Sequence, residues 1–164
     1  MPGSLVGAGF NLHTEGTDMT GGPLEPAHIL LVEDDAGDVA LTLDELQEAR
    51  LGNRITVLGN GLHAIDYLER RGPYRDATTP DILLLDLRLP GVDGRVVLDR
   101  VRINPGLANL TVVVLTASRV EEQILRDFGV PAQFYLQKPV DFRQLVALIR
   151  SIDGLGLAVH RERP

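Results

Sequence analysis

The chain contains no cysteine, which excludes a disulfide framework and a thiolate metal site and removes any need for an oxidising compartment. It has no apolar run near the roughly 20 residues that a membrane span requires. Nor does a charged-then-apolar segment at the start read as a secretory signal. The cytoplasm is the expected location. Basic charge is scarce as well: 16 Lys and Arg stand against 23 Asp and Glu, for a net charge of −7. Such a balance repels phosphate backbones and offers no basic stripe, so direct nucleic-acid binding is not expected. The four histidines, His13, His28, His63 and His160, are scattered, and no two share metal-ligand or catalytic spacing.

What is present is an ordinary globular composition, 44% hydrophobic and 24% charged over 164 residues, enough for one domain with a real core. Residues 1–26 are rich in Gly, Pro, Thr and Ser and read as a flexible leader. From His28 onward, short apolar runs alternate with amphipathic periods. The runs are His28 to Val32, Ile55 to Leu58, Asp81 to Leu85, Leu110 to Leu115 and Gln133 to Gln137. Continuous runs of this kind suit strands buried on both faces of a parallel sheet. The periods between and after them place Val39, Leu43 and Leu46 on one helix face, then Ala64, Ile65 and Leu68, then Val97, Leu98 and Val101. Ile124, Leu125 and Phe128 follow, and finally Leu145, Leu148, Ile149 and Ile152. Five strands and five helices in alternation predict a doubly wound α/β three-layer sandwich with right-handed crossovers, over residues 27–153. Residues 154–164 form a tail with the apolar stretch Leu155 to Val159, too short for an output domain. The segment Arg71 to Pro80 reads as a solvated connector.

The chemistry gathers at the carboxyl ends of the runs, the edge where open α/β sheets bind ligands. Glu33-Asp34-Asp35 follows the first run, Asp86 the third, Thr116 the fourth, and Lys138-Pro139 the fifth. Like charges about 4 Å apart repel by roughly 4 kcal/mol at an effective dielectric near 20, so such acids need a cation. Mg²⁺ suits them, since it takes oxygen ligands in an octahedral shell, whereas zinc or copper would want His or Cys here. Asp86 emerges from a buried run into the loop Leu87-Arg88-Leu89-Pro90-Gly91, where a carboxylate could attack phosphorus and form an acyl phosphate. Lys138 and a metal would supply two positive centres for the added oxygens, Thr116 a hydroxyl, and Ala117 room for the backbone to approach. A proline after Lys138 admits a cis bond that would aim the ammonium into the pocket, with the trans turn as the statistical default.

Val32-Glu33-Asp34, Leu85-Asp86 with Pro90 and Asp93-Gly94, Leu115-Thr116-Ala117 and Tyr135-Leu136-Gln137-Lys138-Pro139 together resemble the receiver domain of two-component response regulators. The resemblance implies a flavodoxin-like (βα)5 fold with strand order 2-1-3-4-5. It implies Asp86 as phosphoacceptor, and Glu33, Asp34, Asp86 and the Arg88 backbone carbonyl as ligands of Mg²⁺. Thr116 and Lys138 would sense the phosphate, and Tyr135 would be the switch aromatic paired with Thr116. The implied partner is a histidine kinase, or a histidine phosphotransfer protein, since none of the four histidines looks like a donor. Gly72-Pro73-Tyr74, Lys138-Pro139-Val140-Asp141 and the apolar tail further resemble the stand-alone regulators of bacterial and cyanobacterial phytochrome kinases. Glu33 stands where many such domains have aspartate, which lengthens the acid and favours water-mediated metal contact. Arg88 and Ser118 occupy positions that tune hydrolysis in this family.

The expected role is thus a signalling domain with limited autophosphorylation and autodephosphorylation, not an enzyme in the usual sense. Output would pass through protein contacts, with a homodimer through helix 4, strand 5 and helix 5 preferred. A phosphate shuttle or sink in a multistep phosphorelay is one alternative. An aspartyl-phosphate phosphohydrolase would also use acids, Thr and Lys, but such enzymes resemble a pattern with a second aspartate where Arg88 stands. A flavodoxin-like cofactor binder would need a phosphate-cradling loop where Glu33-Asp34-Asp35 would repel phosphate. A phosphorylation-independent relative is disfavoured by the complete acid, Thr and Lys set.

Overall fold

The computed structural model describes residues 27–48, 54–130 and 132–151. The proposed leader, the tail with Leu155 to Val159, and the side chains of Ile149 and Ile152 lie outside the described residues. Five strands and five helices alternate: β1 Ile29–Val32, α1 Ala36–Glu48, β2 Ile55–Leu58, α2 Gly61–Leu68, β3 Ile82–Asp86, α3 Gly94–Ile103, β4 Thr111–Thr116, α4 Arg119–Asp127, β5 Phe134–Gln137 and α5 Phe142–Arg150. The sheet is parallel throughout, as the alternation predicts, and its order β2-β1-β3-β4-β5 is the one the family resemblance implies.

Strand side chains alternate between faces, and this divides the core in two. Leu30, Val32, Leu83, Leu85, Val112 and Val114 pack with α2, α3 and α4 residues such as Ala64, Val97, Leu98 and Leu125. Ile29, Leu31, Ile82, Leu84, Val113 and Leu115 pack with Leu46 of α1 and Leu145 and Leu148 of α5. Each fully buried Leu, Ile or Val contributes about 1.5–3 kcal/mol, so these central strands are the main source of stability. The same alternation carries past the strand ends. Glu33 continues the parity of Ile29 and Leu31, Asp86 that of Ile82 and Leu84, and Lys138 that of Leu136, so all three fall on the α1/α5 side.

Most helices begin with a polar cap close after a strand end. Asp35 Oδ1 accepts the Asp38 N–H at 2.8 Å at the start of α1, and Asn60 Oδ1 accepts the His63 N–H at 2.8 Å in α2. Asp93 caps α3, Ser118 caps α4 and Asp141 Oδ1 accepts the Arg143 N–H of α5 at 2.7 Å. These acceptors satisfy N–H groups that the helix leaves unpaired and hold the strand–helix turns in place. Gly94 closes the β3–α3 turn: a Cβ there would sit 2.6 Å from Leu87 Cα and 2.8 Å from the Asp86 carbonyl oxygen.

Two expectations are corrected. Of the apolar set assigned to the fourth helix only Leu125 is buried, whereas Ile124 is 47% and Phe128 78% exposed, with Val120 beside them at 70%. These three lie at i, i+4 and i+8, one stripe along α4 and its C-cap residue Phe128, and the sheet side of the helix is met by Leu125 alone among its own residues. The Arg71 to Pro80 connector is not simply solvated. It forms a 3₁₀ turn at Gly72–Tyr74 that buries Tyr74, whose hydroxyl meets His63 Nδ1 at 2.9 Å and whose ring packs edge-on to Tyr67 at 5.5 Å.

Candidate functional site

Strand register brings the acids together. The β1–β3 pairing runs from Ile29↔Ile82 to Val32↔Leu85, so one further step sets Glu33 level with Asp86. The Glu33 N–H donates to the Leu58 carbonyl at 3.1 Å, which extends β1 pairing past its last residue. On the other flank the Lys138 N–H donates to the Thr116 carbonyl at 2.7 Å, and the Lys138-Pro139 bond is cis. That turn delivers the ammonium into the acids. Lys138 Nζ lies 2.9 Å from Asp86 Oδ2, 3.0 Å from Asp38 Oδ2 and 3.2 Å from Glu33 Oε2.

Glu33, Asp34 and Asp86 each bring one carboxylate oxygen to within 4.8 Å of the other two, with Glu33 and Asp86 buried and Asp34 exposed. Oxygen donors alone, gathered this closely, suit a hard divalent cation, which Glu33, Asp34 and Asp86 would hold together. Asp35, the third acid of the sequence triplet, has a different task, since its Oδ1 caps α1. Its backbone N–H donates to Glu33 Oε1 at 3.2 Å.

Burial pushes the Glu33 carboxyl up to about 7, and the Asp86 charge adds to that, against the Asp35 N–H and the Lys138 ammonium. For Lys138 burial alone acts downward, but the bonds to Asp86, Asp38 and Glu33 together hold it above its ordinary range. The ammonium is therefore held in its charged form by the three carboxylates that share it. The Asp86 carboxylate is also oriented by its own loop, with Oδ1 accepting the Arg88 N–H at 2.8 Å. One Asp86 oxygen thus faces the loop and the other the lysine, an arrangement that suits a fixed nucleophile at the rim of the sheet.

Thr116 and Tyr135 do not join this cluster directly. Thr116 is fully buried, shares the parity of Val112 and Val114, and its hydroxyl donates to the Leu136 carbonyl at 3.4 Å. The Tyr135 hydroxyl donates to the Val130 carbonyl at 2.8 Å, with the Arg126 guanidinium 4.2 Å from the ring centroid. Threonine and tyrosine are therefore linked through β4–β5 pairing, in which Val114↔Tyr135 and Thr116↔Gln137 are partners.

Two residues escaped the sequence reading. Asp38 reaches Lys138 from the first turn of α1, and its signal was the i, i+4 spacing from Asp34 at a predicted helix start. Glu121 completes the pattern Ser118-Arg119-Val120-Glu121, a capping box, yet its carboxylate pairs with Arg88 at 3.3 Å.

The family model for the response regulator receiver domain matches residues 29–150. Response regulator Rcp1 of Synechocystis sp. is 34% identical over 132 residues, covering 80% of this chain and 90% of that protein. Among solved structures, the bacteriophytochrome response regulator RtBRR is 39% identical with a TM-score of 0.73 and covers 85% of each chain. The Mn(2+)-bound form of Rcp1 is 33% identical with a TM-score of 0.63, over 85% of this chain and 99% of that one. Among the described residues no helix is long and apolar enough to cross a membrane.

Proposed function

This chain belongs to the response regulator receiver family, and from that premise we propose that it is a phosphate-controlled switch whose acceptor is Asp86. The observation that carries this reading is the convergence on one lysine of Asp86 from the end of β3, Glu33 from just after β1 and Asp38 from α1. Glu33, Asp34, Asp86 and the Arg88 carbonyl would hold Mg²⁺. When bound, that ion supplies positive charge to the transferred phosphoryl oxygens. Lys138 neutralises a second oxygen, and the Arg88 N–H keeps the attacking carboxylate aimed.

In the transfer a carboxylate oxygen of Asp86 attacks phosphorus, the bond from phosphorus to the donor's ring nitrogen breaks, and that nitrogen keeps the electron pair. The donor is a phosphohistidine of a partner kinase or phosphotransfer protein. The added oxygens then compete for the Thr116 hydroxyl, now spent on a long bond to Leu136. Drawing Thr116 toward Asp86 opens space beside β5 and biases Tyr135 inward, away from Val130 and Arg126. The names of similar proteins, bacteriophytochrome and cyanobacterial phytochrome response regulators, support a phytochrome-type kinase as the partner. The exposed stripe Val120, Ile124 and Phe128 on α4 supports a homodimer surface formed with β5 and α5. The receiver module is taken as 27–153, in the cytoplasm.

The test is incubation with acetyl phosphate and Mg²⁺, read by intact mass. Wild type should gain one phosphoryl group and Asp86→Asn none; equal labelling of both would remove Asp86 from the role.

A further inference from the structure

Glu121 Oε2 accepts the Ala117 N–H at 3.0 Å and meets Arg88 Nη2 at 3.3 Å. These donors stand on either side of the site. Ala117 follows Thr116 at the end of β4, and Arg88 stands two residues after Asp86 at the end of β3. One carboxylate oxygen of α4 therefore ties the β3–α3 loop to the β4–α4 turn across the rim.

Helix capping accounts for only part of this. In a capping box the glutamate returns to the N–H of the cap residue itself, here Ser118. The Ser118 Oγ does accept the Glu121 N–H at 3.1 Å, but the Glu121 carboxylate goes one residue further back, to Ala117. It then takes a cation from a different loop. The Glu121 side chain is 16% exposed and that of Arg88 73%, so the guanidinium is the solvated partner, able to exchange one anion for another.

Geometry makes the phosphoryl group the competing anion. Asp86 is level with Leu115 in the β3–β4 ladder, and its carboxylate leans forward, bonded to the Arg88 N–H. A phosphoryl group added there extends toward the level of Thr116 and Ala117, about two residue rises beyond Leu115. Its oxygens would want the two donors that Glu121 now holds.

We infer that Glu121 and Arg88 form a latch across the mouth of the site, with Glu121 as a positioning residue that slows phosphoryl gain until Arg88 transfers from its carboxylate to the incoming phosphate. This rests on the reading of Asp86 as acceptor. While closed, the latch neutralises the cation best placed to collect an anionic donor. With acetyl phosphate, an Asp86 oxygen attacks phosphorus, the P–O bond to acetate breaks, and acetate leaves with the electron pair.

The experiment follows acetyl phosphate labelling of the full chain with Mg²⁺ by intact mass, in wild type, Glu121→Gln, Arg88→Met and the double variant. Glutamine retains an amide oxygen for the Ala117 N–H but releases Arg88. Glu121→Gln should label about three- to tenfold faster at low donor, as a lower half-saturating concentration and not a higher maximal rate, because rim charges act chiefly on encounter. The gain should disappear in the Arg88→Met background and shrink as salt rises from about 0.05 M to about 0.5 M. A purely structural cap would move thermal stability and leave this split unchanged. Equal rates in wild type and Glu121→Gln, or the same gain with and without Arg88, would overturn the latch while Asp86 labelling stands. Labelling that survives Asp86→Asn would instead overturn the underlying reading.

Discussion

Replacing Lys138 with methionine removes the cation that three carboxylates share while keeping most of the side-chain volume. Nζ is 2.9 Å from Asp86 and 3.2 Å from Glu33, whose side chains are only 7% and 1% exposed, so water is poorly placed to take its place. Asp38, at 37% exposed, rehydrates and adds little. At about 3 Å and an effective dielectric near 20, each buried pair attracts by roughly 5 kcal/mol, an upper figure before desolvation. Loss of one partner from a buried pair costs about 3–5 kcal/mol. The low end applies here, because Glu33, already pushed up to about 7 by burial, takes up a proton when its cation is lost. The expected deficit is about 3 kcal/mol in metal-free buffer, narrowing as pH falls and Glu33 is neutralised.

Mg²⁺ discriminates this account from a loss of packing. A metal can supply the charge that methionine lacks, so about 10 mM Mg²⁺ should stabilise Lys138→Met by at least about 1 kcal/mol more than wild type. Urea unfolding followed by circular dichroism, with Mg²⁺ or with chelator, measures both quantities. A variant as stable as wild type without metal, or an equal or smaller Mg²⁺ increment, would refute the charge-sharing argument.

Three further outcomes are expected. His28 is held down to about 4 from its ordinary 6.5 by burial and by the Arg54 charge, against Asp81, and its Nδ1 is buried without a hydrogen-bond partner. The unfolded chain takes up this proton below about 6.5 and the folded chain resists it until about 4, so the stability it contributes is complete above 6.5 and lost as pH falls. The loss should reach about 2 kcal/mol at about pH 5 and flatten in His28→Gln; parallel pH slopes in the two proteins would exclude the ring. Gly94→Ala places a methyl 2.6 Å from Leu87 Cα and 2.8 Å from the Asp86 carbonyl oxygen, backbone that cannot step aside cheaply. It should cost about 1–3 kcal/mol in urea unfolding and slow Asp86 labelling, and an unchanged midpoint would show that α3 simply moves away. Phe128→Ser, at a position 78% exposed, should leave unfolding within about 0.5 kcal/mol while weakening association through the proposed homodimer surface in light scattering; a monomeric wild type, or association undiminished in the variant, would refute that surface.

Much of the scaffold is legible without coordinates because buried parallel strands leave little choice of residue. Ile82-Leu83-Leu84-Leu85 must be apolar on both faces, so the run announces itself, and the acid that ends it stands out at once. The helices were less readable. Leu125 and Phe128 share a helical face by spacing, yet one is buried and the other open, because amphipathic spacing marks an apolar face without saying what covers it. Tyr74 misled in the opposite sense: a Gly-Pro connector hid a ring that packs on Tyr67.

The acid, threonine and lysine set, its order, and its place at strand ends follow from the sequence alone, since strand length and side-chain alternation determine which residues reach the rim. Which groups then touch was decided only by the tertiary structure. Asp38 and Lys138 are 100 positions apart, and Arg88 meets Glu121 only because β3 and β4 are ladder neighbours. The physical reason is range. Burial and periodicity are local averages that a sequence expresses directly, whereas a salt bridge of about 3 Å depends on register, cap and turn geometry all holding at once.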